Sequence, residues 1–136
     1  MTQVTNWGMT GVKSQDIVTD TEEEVNCIGW MLGEDKWLWP GMRGWANDDY
    51  VASREVFERV LEERGYVNID RPCRYDGRYE YVVFYQVDDG ISHGARREGD
   101  CWVSKLGRGP VVKHKRLEQV RALYGQPMYF YRRRIT

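Results

Sequence analysis

Residues 79–106 read Tyr-Glu-Tyr-Val-Val-Phe-Tyr-Gln-Val-Asp-Asp-Gly-Ile-Ser-His-Gly-Ala-Arg-Arg-Glu-Gly-Asp-Cys-Trp-Val-Ser-Lys-Leu. Val, Tyr and Phe dominate the first run, Tyr79–Val87, which ends at the hairpin signal Asp88-Asp89-Gly90. A second run, Ile91–Arg97, closes at Glu98-Gly99-Asp100, and a third, Cys101–Leu106, closes at Gly107-Arg108-Gly109-Pro110. Turns this short join only antiparallel neighbours, so the segment predicts a three-stranded meander.

On the C-terminal side, Val111–Lys113 predicts a short strand leading into a helix at about 115–124. Gly125 and Pro127 stop that helix, and Met128–Arg134 reads as a last strand. On the N-terminal side, Val56, Phe57, Val60 and Leu61 follow helical spacing and predict a helix over about 50–64. Asp48 or Asp49 would cap it and Gly65 would end it, and its opposite face is solvated charge. A shorter helix starts near Asn26-Cys27-Ile28-Gly29-Trp30. Thr21-Glu22-Glu23-Glu24 matches a capping box and competes for that start. Gly29 and Gly33 weaken the segment as a helix former and favour Asn26 as the cap. Residues 1–20 read as an irregular polar arm. The element order predicts an α+β domain over 21–136, with N-terminal helices packed on an antiparallel sheet of about four to five strands.

A chain of 136 residues, 41 % hydrophobic and 30 % charged, holds one domain with a core and excludes disordered and collagen-like classes. No apolar run reaches the roughly 18–20 residues of a bilayer span, and Met1–Lys13 lacks the layout of a signal peptide. The expectation is a cytoplasmic protein with no membrane partner, signal-independent export being the alternative.

The net charge of −1 conceals a division. Residues 1–90 hold 9 Lys/Arg against 18 Asp/Glu, a net of −9, whereas residues 91–136 hold 11 against 3, a net of +8. Either the halves neutralise one another across the fold, or the basic half presents a face to an anionic ligand, nucleic acid or protein partner. Lys113-His114-Lys115-Arg116 and Arg132-Arg133-Arg134 are where such a face would lie.

Three cysteines without a CxxC pair make a disulfide framework or a zinc site unexpected. Cys73, in a polar loop, and Cys101, beside Trp102, read as loop or core thiols. Cys27 differs. A thiol in the first turn of a helix faces unpaired N–H groups and the positive end of the dipole, which should lower its pKa from about 8.5 towards neutrality. His93 and His114 are the two imidazoles that could serve it. Cys27 therefore reads as a nucleophile or as a buried small hydrophobe. His93 reads as its base or as a hydrogen-bonded sheet histidine. His114, among Lys and Arg, reads as a surface residue. Ser104, eleven residues beyond His93 in the adjoining strand, can be brought alongside it. Trp37, Trp39 and Trp45 form either a hydrophobic plug over the first helix or a substrate-cleft wall.

Asn26-Cys27 opening a helix, the strand Tyr81-Val82-Val83-Phe84-Tyr85, His93-Gly94-Ala95 and then Ser104 together resemble, in order and spacing, the papain-like hydrolases, in particular the NlpC-type peptidases and amidases. The longer pattern, with Trp102 to Gly107 as Trp-x-Ser-Lys-Leu-Gly and then His114, is similar to an uncharacterised bacterial domain family. The papain-like resemblance implies a cysteine-dependent hydrolase or acyltransferase acting on an amide or ester of a peptide or small molecule, with no cofactor and no metal. It implies Cys27 as nucleophile, His93 as base and Ser104 as third group. The backbone N–H of Cys27 would stabilise the oxyanion by about 3–4 kcal/mol. Asn26, Trp30 and Trp102 would border the cleft, and Trp37, Trp39, Trp45, Lys105 and His114 would contact substrate. The chain departs from that pattern twice. Ile28-Gly29 follows the cysteine in place of Ser-Gly, and Ser104, Lys105 or His114 occupies a third position that is commonly His, Asn or Gln. The rival expectation is a papain-like or other α+β module that binds without catalysis.

Overall fold

The computed structural model describes residues 17–19, 25–34, 36–42, 45, 51–69, 75–106 and 110–135. The chain forms β1 (Ile17–Thr19), α1 (Cys27–Met31), α2 (Arg54–Glu63), β2 (Val67–Ile69), β3 (Tyr79–Val87), β4 (Gly90–Glu98), β5 (Cys101–Lys105) and β6 (Val111–His114). A 3₁₀ turn (Leu117–Val120) runs into the single-turn α3 (Arg121–Tyr124), and β7 (Gln126–Arg134) ends the fold. The strands make one seven-stranded sheet in the order β1-β6-β5-β4-β3-β7-β2, with every neighbouring pair antiparallel.

The meander β3–β4–β5 is present as its turn residues require. Asp88, at φ 53°, takes up the left-handed conformation of the first hairpin, which Asp tolerates better than most side chains. The sheet has seven strands where four to five were expected, because three-residue β1 and β2 complete its edges. Ile17–Thr19 thus belongs to the sheet, not to an irregular arm; Trp7, Met9 and Thr21–Glu24 lie outside the described residues. Helix α2 begins later than expected. Ser53 caps it by accepting from the Val56 N–H, and Asp48 and Asp49 lie outside the described residues. The expected helix over 115–124 divides into the 3₁₀ turn and α3.

Both faces of β3 are buried along Tyr81–Tyr85, and the period of two sorts its side chains. Val82 and Phe84 pack with Ile28 and Met31 of α1 and with Phe57 and Leu61 of α2. Tyr81, Val83 and Tyr85 face the other way, onto Ala95, Phe130 and Val120 of the 3₁₀ turn. Two glycines permit the close approach of α1. A Cβ on Gly94 would meet Met31 Sδ at 2.6 Å, and one on Gly29 would meet the Lys36 carbonyl oxygen at 2.1 Å.

Candidate functional site

Strands β4 and β5 pair only through Arg96, Arg97 and Glu98, opposite Val103, Trp102 and Cys101. Beyond that point they separate, and α1 packs against both. Asn26 fixes the start of α1 as the sequence predicts. It is buried and extended, its Oδ1 accepts from Gly29 N–H (2.9 Å) and Leu38 N–H (3.0 Å), and its Nδ2 donates to the Leu38 carbonyl (2.7 Å). One side chain therefore caps the helix and ties the Trp37–Trp45 segment to it.

Cys27 follows as the first helical residue, 5 % exposed. Burial pushes its thiol up to about 11, opposed by the backbone N–H groups of Gly94, Ile28 and Cys27 and by the charge of Lys105. The expected fall towards neutrality is thus reversed. The first turn of α1 offers two of those N–H groups and β4 the third, but desolvation of the thiolate outweighs them.

His93 stands on β4 opposite Tyr85 and has no exposed surface. Its ring meets Tyr85 edge-on at 5.3 Å and lies parallel to Tyr124 at 3.8 Å, with the planes 5° apart. Ser92 Oγ donates to the Tyr124 carbonyl and Tyr85 Oη donates to the Leu117 carbonyl (2.6 Å), so both ring partners are held. Among the described residues neither nitrogen of His93 has a hydrogen-bond partner. Burial, with a smaller contribution from nearby His114, holds its pKa well below the usual histidine value, and the ring is neutral at pH 7. Tyr124 links the two candidates: burial raises its phenol, and Cys27 lies close enough to raise it further.

Ser104 does not orient His93. Its hydroxyl bonds His114 Nε2 at 2.7 Å, while His114 Nδ1 lies 3.0 Å from the Arg116 carbonyl. A carbonyl only accepts, so Nδ1 carries the proton, Nε2 accepts, and Ser104 donates. His114 is correspondingly buried and not a surface residue, because the alternation of β6 turns it inward between exposed Lys113 and Lys115. Lys105 is wholly buried within electrostatic reach of Cys27.

The aromatic candidates are more dispersed. Trp39 and Trp45 meet Phe57 of α2 edge-on at 5.2 and 5.5 Å, so their ring contacts are with the second helix, where the plug was expected over the first. Trp37 is half-buried. Trp30 carries the Arg96 guanidinium 3.8 Å above its ring, and Trp102 is buried in the opposite core layer beside His114 in register. Cys101 is partly buried, with Sγ 3.4 Å from Asp100 Oδ1, and Cys73 lies outside the described residues. Among the described residues, no group of three His, Cys, Asp or Glu side chains is placed to hold a metal, and no helix is long and apolar enough to cross a membrane.

The sequence missed Tyr85 and Tyr124 as the partners of His93. The Asp88-Asp89 hairpin alone would set Tyr85 opposite Ser92; a register shift between Tyr85 and Gln86 moves it opposite His93, and nothing local marks that shift or Tyr124.

Fold and site define an α+β domain built on an antiparallel sheet, with a helix-initial cysteine set where two strands part. The chain belongs to the family described as Domain of unknown function (DUF7689), which matches residues 16–132. No curated protein and no solved structure gives a significant match.

Proposed function

We propose that this is a papain-like, cysteine-dependent hydrolase or acyltransferase acting on an amide or ester, with Cys27 as nucleophile and His93 as general base. The observation that carries the reading is His93 itself. Buried polar atoms nearly always find partners, and His93, clamped between two tyrosines, has neither nitrogen hydrogen-bonded among the described residues, Cys27 included, which leaves the ring free to take a proton once the thiol comes within range. The protonation states suit a concerted transfer. Neutral His93 can accept a proton, and Cys27 keeps its own until attack. As Sγ bonds the acyl carbon, the thiol proton passes to His93 and then to the departing amine or alcohol; water reverses the sequence to release the acid. The Gly94 and Cys27 N–H groups directed at the sulfur are candidate oxyanion donors. Tyr124 takes the positioning role expected of Ser104.

The test is acylation by an activated ester, p-nitrophenyl acetate, in a Cys73→Ala/Cys101→Ala background, read by intact mass and peptide mapping. The expected result is one acetyl group on Cys27, lost in Cys27→Ala and in His93→Leu while both variants remain folded. Acetylation that persists in His93→Leu, or none at Cys27, overturns the mechanism.

A second reading, a degenerate papain-like domain that binds a partner, is favoured by the burial of the sulfur and its raised pKa. It predicts no acyl adduct and indifference of binding to Cys27→Ala.

A further inference from the structure

Most of the described arginines are already engaged. Arg54, Arg64, Arg78, Arg96 and Arg133 each pair with a carboxylate, and Arg97 and Arg132 lie over aromatic rings. Of the tail Arg132-Arg133-Arg134, two guanidiniums are therefore spent inside the fold.

The concavity between β6 and the 3₁₀ turn is different. It encloses about 600 Å³, within the size range of small-molecule sites. Lys113, Lys115 and Arg116 line it, all exposed, and among the described residues none of the three is in an ion pair. Among the described residues Asp100 is the one carboxylate that lines the concavity. Three like charges held at one cavity repel one another unless an anion joins them.

The loop that presents them is also fastened beforehand. The Arg116 carbonyl accepts from His114 Nδ1–H (3.0 Å), and the Arg116 N–H donates to Gln119 Oε1 (3.0 Å). His114 is itself anchored by Ser104. Ordering cost on binding is thereby reduced.

We infer that this concavity is a binding site for a small organic phosphate of nucleotide size, its phosphates held by Lys113, Lys115 and Arg116, with Asp100 placed to accept from a hydroxyl or amino group. Convergence on one cavity, and the internal use of Arg132 and Arg133, favour a compact anion over a polymer that needs an extended basic track.

The full chain is titrated calorimetrically with ADP, inorganic pyrophosphate and a short single-stranded oligodeoxynucleotide. The expected result is saturable binding of ADP and pyrophosphate, weakened about tenfold or more by Lys113→Ala/Lys115→Ala and by Arg116→Ala, and unchanged by Arg134→Ala. Cys27→Ala should bind as the parent does, which separates this site from the cysteine chemistry. Absence of saturable phosphate binding, indifference to the Lys113/Lys115 double substitution, or an oligonucleotide that binds tighter than ADP in an Arg134-dependent manner would each overturn the inference.

Discussion

His93 lies flat on Tyr124, ring centroids 3.8 Å apart, with neither imidazole nitrogen hydrogen-bonded among the described residues. A buried donor and acceptor left unmade cost roughly 1–3 kcal/mol each, against about 0.5–1.5 kcal/mol returned by the aromatic contact. Replacement by an apolar residue of similar size should therefore stabilise the fold. His93→Leu is expected to raise the unfolding free energy in urea by about 1 kcal/mol while abolishing acyl transfer. Any loss of stability would mean the ring is a structural member and not one held ready for chemistry.

The same burial makes stability depend on pH. Both His93 and His114 have folded pKa values below the ordinary 6.5, each chiefly through desolvation. In that range the unfolded chain binds more protons than the folded one, so stability is complete above about pH 6.5 and falls as pH drops below it. The decline is expected to approach, at most, about 1.4 kcal/mol per pH unit for each histidine. It precedes the losses from Glu34 and Asp76, whose lowered carboxyl pKa values matter only as pH falls below their ordinary 4.5 and 3.8. Urea unfolding between about pH 6.5 and 5 should show this slope, and His93→Leu should remove the larger share of it, because His93 is lowered further than His114.

How far the fold could be read depended on how local its determinants are. Strands β3, β4 and β5 were legible because two-residue turns fix their ends and their order, although the register shift between Tyr85 and Gln86 has no sequence signal. The start of α1 was legible because Asn26 states its own role as a cap. Three-residue β1 and β2 carry no period of their own; β6 and β7 define them. The site was less legible. His114 sits between two lysines in sequence, but the alternation of a strand turns it into the core. The reversal of the Cys27 pKa depends on α1 entering where β4 and β5 separate, a tertiary event with no sequence signal.

Gly94 tests that entry directly. Its missing Cβ is where Met31 Sδ and Ile28 Cδ1 rest, at 2.6 and 2.9 Å from the position the atom would take. Gly94→Ala should displace the Met31 and Ile28 side-chain ends that seat α1 on β4 and cost about 1–3 kcal/mol, as overpacking of a filled core does. Because the Gly94 N–H also faces the sulfur, this variant should lose acyl transfer more completely than stability. An unfolding curve equal to the parent's would show that α1 is not seated there.

Asn26 gives the complementary case, a polar side chain with all its bonds made. Asn26→Ala removes the helix cap and leaves the Leu38 N–H and carbonyl without partners. The cap alone is worth about 0.5–2 kcal/mol and each stranded group about 1–3, so a total near 3 kcal/mol is expected after partial relaxation. Asn26→Asp keeps the acceptor, loses the donor and buries a charge, so it should not rescue the loss at pH 7. A rescue would mean that the Nδ2 bond to Leu38 contributes nothing.

Cys27 decides between a preformed ion pair and a thiol that ionises only on attack. With burial holding its pKa near 11, only about one molecule in a thousand carries the thiolate at pH 8. In the Cys73→Ala/Cys101→Ala background, iodoacetamide should therefore label the native chain slowly. Its rate should rise about tenfold per pH unit across pH 8–10 and level off near 11, whereas the urea-unfolded chain should level off near 8.5–9. Lys105 lowers the thiol pKa by its charge, so Lys105→Gln should shift the native profile to still higher pH without changing that of the unfolded chain. A native plateau below pH 8 would instead establish a stabilised thiolate, and general-base transfer to His93 would give way to the thiolate–imidazolium pair.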